Sequence, residues 1–398
     1  MRNVLVASYD MEVGGVERSL AGMLDQFDYA SHAVDLMLYR HQGDFMPLLS
    51  GNVNLLGEVA EYATFRKSIG ETLRDRQLPI GIARVLSRVH ARLLGSWKRI
   101  AEPGYIQQQL MWKYALPFLP KTETEYDVAI SYLWPHYYVA EKVKAGKKVA
   151  WIHTDFSTVE TNRAMDLKMW NKFDHIIAVS DACKASFLAK YGSLSAKVTV
   201  IENIMSPEFV KGMAAENDPD NAMKADKRFK LLTVARLSHA KGIDQAVKAC
   251  KHLADRGYDR IAWYVVGYGG DEGMIRELIA QYGLEERFIL LGKQTNPYPF
   301  IRECDLYVQP SRYEGKAVTV TEAKILGKPI VITDYATSAS QVVDGVDGVI
   351  CELSPEGIAR AVERLYHDEE LRKRLARYLD GQDYGNGGEL DKLYQLLA

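Results

Sequence analysis

The sequence predicts an α/β protein of two domains, each a parallel sheet covered by helices. Short apolar runs alternate with helical patterns along the whole chain, as strands buried on both faces of a parallel sheet require. The runs fall into two sets separated by a polar stretch. At 398 residues the chain is long enough to give each set an ample core.

The first set of predicted strands is Val4–Ser8, Ala33–Tyr39, Val128–Tyr132, Lys148–Ile152, His175–Val179 and Val198–Ile201. The second is Lys230–Ala235, Ile261–Gly267, Arg287–Gly292, Leu306–Gln309, Pro329–Thr333 and Gly348–Cys351. Between them, the segment containing Glu216-Asn217-Asp218-Pro219-Asp220-Asn221 is polar, lacks periodicity and holds a proline, so it reads as a linker. The expected organisation is a first domain over 1–205, a linker over 206–228 and a second domain over 229–385. A short amphipathic helix at 386–398, after a glycine-rich stretch, fits either domain.

The composition, 47% hydrophobic and 26% charged, is that of an ordinary globular protein. No apolar stretch approaches the roughly 20 residues that cross a bilayer, and the first residues read as a buried strand rather than a signal peptide. Cys183, Cys250, Cys304 and Cys351 form no C-x-x-C pair and read as buried, reduced thiols of a cytosolic protein.

The net charge of −2 hides an asymmetry: residues 62–113 carry ten Lys/Arg against three Asp/Glu, a local +7 that leaves −9 for the rest. Inside this insertion, from Ile80 to Ala101, Ile82, Val85, Leu86, Val89, Leu93, Trp97 and Ile100 recur at helical spacing. Arg84, Arg88, Arg92 and Arg99 take another face. A basic amphipathic helix with a tryptophan on its apolar side suits an anionic membrane surface. A helix packed on its own domain with a solvated basic face is the alternative. No nucleic-acid module accompanies the charge, so no nucleic-acid partner is expected.

Five motifs bear on chemistry. Gly14-Gly15, within Tyr9–Arg18 after the first strand, lets backbone approach a ligand at a helix N-terminus, where N–H groups favour an anion. It is not the G-x-G-x-x-G fingerprint of dinucleotide enzymes. Arg236 and Lys241, after the first strand of the second set, can bracket a diphosphate and stabilise the charge it gains on leaving. His153 ends a strand on the side where open α/β sheets bind ligands. Gly267 opens a G-x-G-G run after another strand. Finally, Glu314 and Glu322 stand eight residues apart across a strand-to-helix turn, with Lys316, Ala317, Val318 and Thr319 between them. One carboxylate can accept from sugar hydroxyls and the other from a ribose diol, while free N–H groups between them meet phosphate. Asp218-Pro219-Asp220 imitates a D-x-D metal motif but lacks a flanking strand and reads as linker acid.

Together these motifs resemble the family-4 retaining glycosyltransferases of the GT-B fold, of the type that builds bacterial surface or capsular polysaccharide. The likeness runs through Gly14 to Arg18, the Arg236/Lys241 pair, Gly267 and the E-x7-E pair Glu314/Glu322. It implies two facing Rossmann-like domains with parallel sheets and a cleft between them, the donor held by the second domain and the acceptor by the first. It places Arg236 and Lys241 on the pyrophosphate and Glu322 on the ribose. Glu314, with the backbone of Lys316 to Thr319, would hold the donor sugar and phosphates. His153 would touch the sugar, and Gly15 the donor phosphate.

The resemblance also implies a metal-independent reaction without cofactor, with a UDP- or GDP-linked sugar as substrate and a lipid-linked or glycan acceptor. Arg84, Arg88, Arg92 and Trp97 would form the membrane or acceptor face of a cytoplasmic protein peripheral on the inner face of the membrane. Lys316-Ala317 departs from the aromatic-glycine usual there, so Lys316 meets either a charged group of the donor or solvent. Two rivals stand beside this reading. A dinucleotide oxidoreductase or epimerase would need the complete glycine fingerprint. An inactive GT-B scaffold binding membrane or a partner transferase would not need Arg236, Lys241, Glu314 and Glu322 together.

Overall fold

The computed structural model describes residues 1–98, 104–154, 156, 159–216, 221–314 and 316–397, with the side chains of 95–98 left aside. The chain divides into two units, residues 1–205 with 386–398, and residues 206–385.

In the first unit β1 (Arg2–Ser8), β2 (His32–Leu38), β3 (Asn54–Leu55), β4 (Glu125–Ser131), β5 (Lys144–Ile152), β6 (His175–Ala178) and β7 (Val198–Val200) form one parallel sheet. Its order is β3-β2-β1-β4-β5-β6-β7, with Val4 between Val34 and Val128 in register. The order reverses at β1/β4, where such sheets open a crevice beyond their carboxyl ends. Val4, Leu5, Val6, Ala129, Ile130 and Ile177 are buried and anchor the core.

In the second unit β8 (Phe229–Val234), β9 (Ile261–Val266), β10 (Phe288–Gly292), β11 (Leu306–Gln309), β12 (Ile330–Thr333) and β13 (Val349–Cys351) form a second parallel sheet. The order is β10-β9-β8-β11-β12-β13, reversing at β8/β11, where Leu306 pairs with Leu231. Every strand expected from sequence forms. The two-residue β3 has no signal long enough to detect.

The stretch expected as a linker is part of the second unit. Helix Pro207–Ala215 starts with Ser206 accepting from the Phe209 N–H at 3.1 Å and with proline in the first turn. It buries Val210 and Ala214, sets Phe209 edge-on to Tyr298 at 6.3 Å and receives the Asn296 amide at Met213 O, 2.8 Å. Residues 217–220, with the D-x-D-like acids, lie outside those described.

Helix Glu389–Leu397 packs into the first unit through Leu390, Leu393 and Leu397. Tyr394 stacks on His32 at 5.1 Å and accepts from the Asp28 N–H at 2.8 Å. The four cysteines are buried and free. No helix among the described residues is long and apolar enough to cross a membrane.

Candidate functional site

The second unit gathers its chemistry at the β8/β11 reversal. The loop after β8 carries Arg236 and Lys241; the loop after β11 carries Ser311 and Glu314 and enters helix Val318–Ile325. The two loops touch because Gly242 has no side chain: at φ +64° a Cβ there would sit 2.0 Å from Pro310 O. Arg312 then locks them, with a bidentate pair to Asp244 at 2.7 and 2.6 Å and its N–H donating to Ala240 O at 2.8 Å.

Against this frame Lys241 Nζ donates to both oxygens of Glu314, 2.6 Å each. The Glu314 side chain is 7% exposed. Its Oε1 also accepts from Ser311 Oγ at 2.7 Å and Gln309 Nε2 at 3.2 Å, so the carboxylate is oriented from three sides. Gln309 is fixed in turn by the hydroxyls of Tyr307 at 2.8 Å and Thr319 at 3.3 Å.

Helix Val318–Ile325 begins at Ala317 with no capping side chain and no acid in its first turn, which leaves its N-terminus suited to an anion. Glu322, on this helix, is buried and accepts from the Tyr298 hydroxyl at 3.0 Å. Arg236 is exposed and forms no ion pair with any described residue, and Lys316 is exposed as well. Gly267 is needed by the protein's own packing: at φ +149° a Cβ there would lie 1.9 Å from Ala235 O, and one at Gly269 2.2 Å from Leu237 O. These glycines let the Arg236 loop lie against the β9 loop.

The first unit has two features of interest. Helix Gly15–Asp25 starts at Gly14 without a side-chain cap. The Glu17 carboxylate folds back so closely that a Cβ on Gly14 would sit 2.2 Å from Glu17 Oε2, whereas Gly15 is open. His153, after β5, lines a narrow pocket, with a cavity of only about 20 Å³, together with Tyr105, Trp134, His136, Trp151 and Trp170. The sequence signalled only the Trp151-Ile152-His153 stretch there, because Tyr105, Trp134, His136 and Trp170 come from separate segments.

Five buried nitrogens of this pocket wall lack a hydrogen-bond partner among the described residues: Trp134 Nε1, His136 Nε2, Trp151 Nε1, His153 Nε2 and Trp170 Nε1. The other ring nitrogen of His136 pairs with Ser131 Oγ at 2.8 Å, and His153 bonds the Tyr132 backbone. Burial pushes both imidazoles down to about 3. Among the described residues the wall carries no charged side chain, and its lining mixes donors with acceptors.

Both histidines are held uncharged when folded but take a proton near pH 6.5 when unfolded. Their contribution to stability is therefore intact above about pH 6.5 and lost as pH falls toward about 3, by up to about 1.4 kcal/mol per pH unit for each. Urea midpoints measured across this window are expected to fall with acidification. His136→Gln is expected to flatten the dependence, and an unchanged slope in that variant would assign the titration to other groups.

The sequence placed four arginines, Arg84, Arg88, Arg92 and Arg99, on one exposed face, and the structure corrects this for Arg84. Helix Leu78–Lys98 turns Arg84 inward, where its guanidinium donates to Thr64 O and, at 2.9 Å, to Thr72 Oγ1. Arg88 and Arg92 are exposed. The side chain of Trp97 lies outside the described residues, as do Arg99 and Ile100.

Residues 215–380 match the family described as glycosyl transferases group 1. That stretch of the second unit is similar to the group 1 glycosyl transferases. Relatives of the chain include alpha-D-kanosaminyltransferase of Streptomyces kanamyceticus, 32% identical over 38% of this chain and 40% of that protein. Another is the capsular polysaccharide biosynthesis glycosyltransferase CapM of Staphylococcus aureus, 27% identical over 50% of this chain and 54% of its own. The chain spans about half the length of the curated relatives it matches.

Among solved structures, Anabaena HepE with UDP and glucose superimposes with a TM-score of 0.68 at 17% identity, covering 100% of this chain and 99% of that one. S. aureus TarM gives 0.67 at 14%, covering 100% of both chains. At that identity the likeness establishes the fold, which is GT-B.

Proposed function

We propose that this chain is a retaining glycosyltransferase of group 1. It moves a sugar from a UDP- or GDP-linked donor to a hydroxyl of a glycan or lipid-linked acceptor, in the synthesis of a bacterial surface polysaccharide or glycolipid. What carries the reading is the oriented Lys241–Glu314 pair beside the uncapped N-terminus of helix Val318–Ile325. The family match over residues 215–380 and the printed names of relatives support it: CapM works in capsular polysaccharide biosynthesis, and a Campylobacter jejuni relative is named as an N-acetylgalactosaminyltransferase acting on a diphospho-undecaprenol sugar.

In the proposed step the bond from the anomeric carbon to the diphosphate oxygen breaks, and its electron pair leaves with the nucleoside diphosphate. The acceptor oxygen bonds the same carbon on the same face, and its proton passes to the departing phosphate. Arg236, Lys241 and the helix N-terminus take up the negative charge that develops, without a metal ion. Glu322 accepts from the ribose hydroxyls. Glu314 holds the sugar, and His153, held neutral, hydrogen-bonds a sugar hydroxyl. The enzyme works on the cytoplasmic side of the membrane.

A thermal-shift titration with UDP, GDP and ADP in the presence of EDTA tests this. One nucleoside diphosphate is expected to raise the melting temperature with the logarithm of its concentration. Lys241→Ala is expected to weaken that ligand roughly tenfold or more, the size of a lost charge-assisted contact. No response to any nucleotide would count against the donor site and favour a scaffold.

A further inference from the structure

Helix Leu78–Lys98 wears its apolar side outward. Small or short residues make its inner face: Ala83 and Ile80 join the core of the first unit, and Ala91 packs on Ile106 and Leu110 of helix Gly104–Ala115. His90 bonds the Tyr114 hydroxyl at 2.6 Å from the same neighbouring helix. With that face occupied, Leu78, Ile82, Val85, Leu86, Val89 and Leu93 are left 44% to 67% exposed. At about 100° per residue these six fall within an arc of about 100°, a continuous stripe on one side of the helix. Scattered exposed apolar residues need no explanation, but a row of six along one helix does.

Charge identifies what covers it. Arg88 and Arg92 are exposed, one turn apart, on the flank next to the stripe. The surrounding segment 62–113 carries a net +7 in a chain of net −2. No acidic residue lies within Leu78–Lys98. An apolar stripe bordered by arginines fits the boundary of an anionic bilayer, with side chains in the acyl region and guanidiniums among phosphates. A second protein surface would need its own apolar strip and paired acids. The helix is not a spanning segment, since its apolar residues occupy one side only.

We propose that helix Leu78–Lys98 lies in the plane of an anionic membrane and inserts the Leu78-to-Leu93 stripe, with Arg88 and Arg92 binding lipid phosphate. Arg84 has no part in this, because it is bonded inside the protein. The inference stands apart from the transfer reading, and its experiment is separable from it: nucleotide binding is measured on the same samples.

Full-length protein is sedimented with phosphatidylcholine vesicles with and without phosphatidylglycerol. Wild type is expected to bind the anionic vesicles and not the neutral ones. Val85→Ser/Val89→Ser/Leu93→Ser is expected to lose roughly tenfold or more in partitioning, because three half-exposed apolar groups no longer leave water. These positions face solvent, so the melting temperature and nucleotide response should be retained. Arg88→Ala/Arg92→Ala is expected to lose the preference for anionic lipid. Wild type remaining in the supernatant with anionic vesicles would overturn the proposal, as would binding unchanged by the serine substitutions. Sedimentation equilibrium showing a dimer that the serine substitutions dissociate would overturn it too, assigning the stripe to a second copy of the chain.

Discussion

Glu314→Gln is expected to lower turnover by about two to three orders of magnitude, the usual cost of removing one oriented electrostatic contact from a reacting centre. The substitution keeps the shape of the side chain and removes its charge. Lys241 Nζ now meets both carboxylate oxygens at 2.6 Å; after substitution one of them becomes an amide donor, and two donors face each other. The Ser311 and Gln309 donors, at 2.7 and 3.2 Å from Oε1, lose a charged acceptor as well. Nucleoside diphosphate affinity should change little, since Lys241 and Arg236 remain. Initial rates at saturating donor, with a nucleotide titration alongside, separate the two effects. Combined with Lys241→Ala, the losses should fall short of additive, because the residues act as a pair. A Glu314→Gln enzyme with wild-type turnover would remove Glu314 from the reaction.

Lys324→Met is expected to destabilise the second unit by about 3–5 kcal/mol, the range for removing one partner of a buried ion pair. Lys324 and Asp347 are 7% and 9% exposed and meet at 2.6 Å. Lys324 also donates to Gln341 O, and Asp347 accepts from the Val343 N–H at 2.7 Å. Without the lysine, a carboxylate remains buried with no cation. Urea unfolding of the full chain measures the loss, and Lys324→Met/Asp347→Leu should recover much of it. The pair also reaches the candidate site, because Gln341 Oε1 accepts from the Ala317 N–H at 2.9 Å where helix Val318–Ile325 begins. Donor KM is therefore expected to rise in the lysine variant. A stability change below about 1 kcal/mol would mean that the site is hydrated on unfolding the local loop rather than sealed.

The sheets were legible because alternation of apolar runs with helices is a local signal, and each run is long enough to stand out. The segment 206–228 was misjudged on its polar composition, although Ser206-Pro207 is itself a helix-start signal. Helical spacing correctly grouped the residues of Leu78–Lys98. Which residues face inward, however, depends on the partners other segments supply: Thr64 and Thr72 take Arg84, which spacing alone puts outward. Glu314 and Glu322 could be singled out by spacing. The partnership of Glu314 with Lys241 could not, since 73 residues separate them and only the strand order brings the loops together. The unpartnered nitrogens beside His153 come from residues 134 to 170 and required side-chain positions to find.

Helix Glu389–Leu397 sets the order in which the chain can assemble. The second unit is one continuous stretch, 206–385, whereas the first is completed by residues that the ribosome adds after it. A nascent chain holding only 1–205 lacks Leu390, Leu393 and Leu397 from its core and the ring that stacks on His32. The segment made later can therefore reach its native state sooner, while the earlier one waits, partly exposed, for its closing piece. Ribosome-associated chaperones would meet this protein at its beginning, and nonsense changes near position 386 would damage the half of the molecule encoded first.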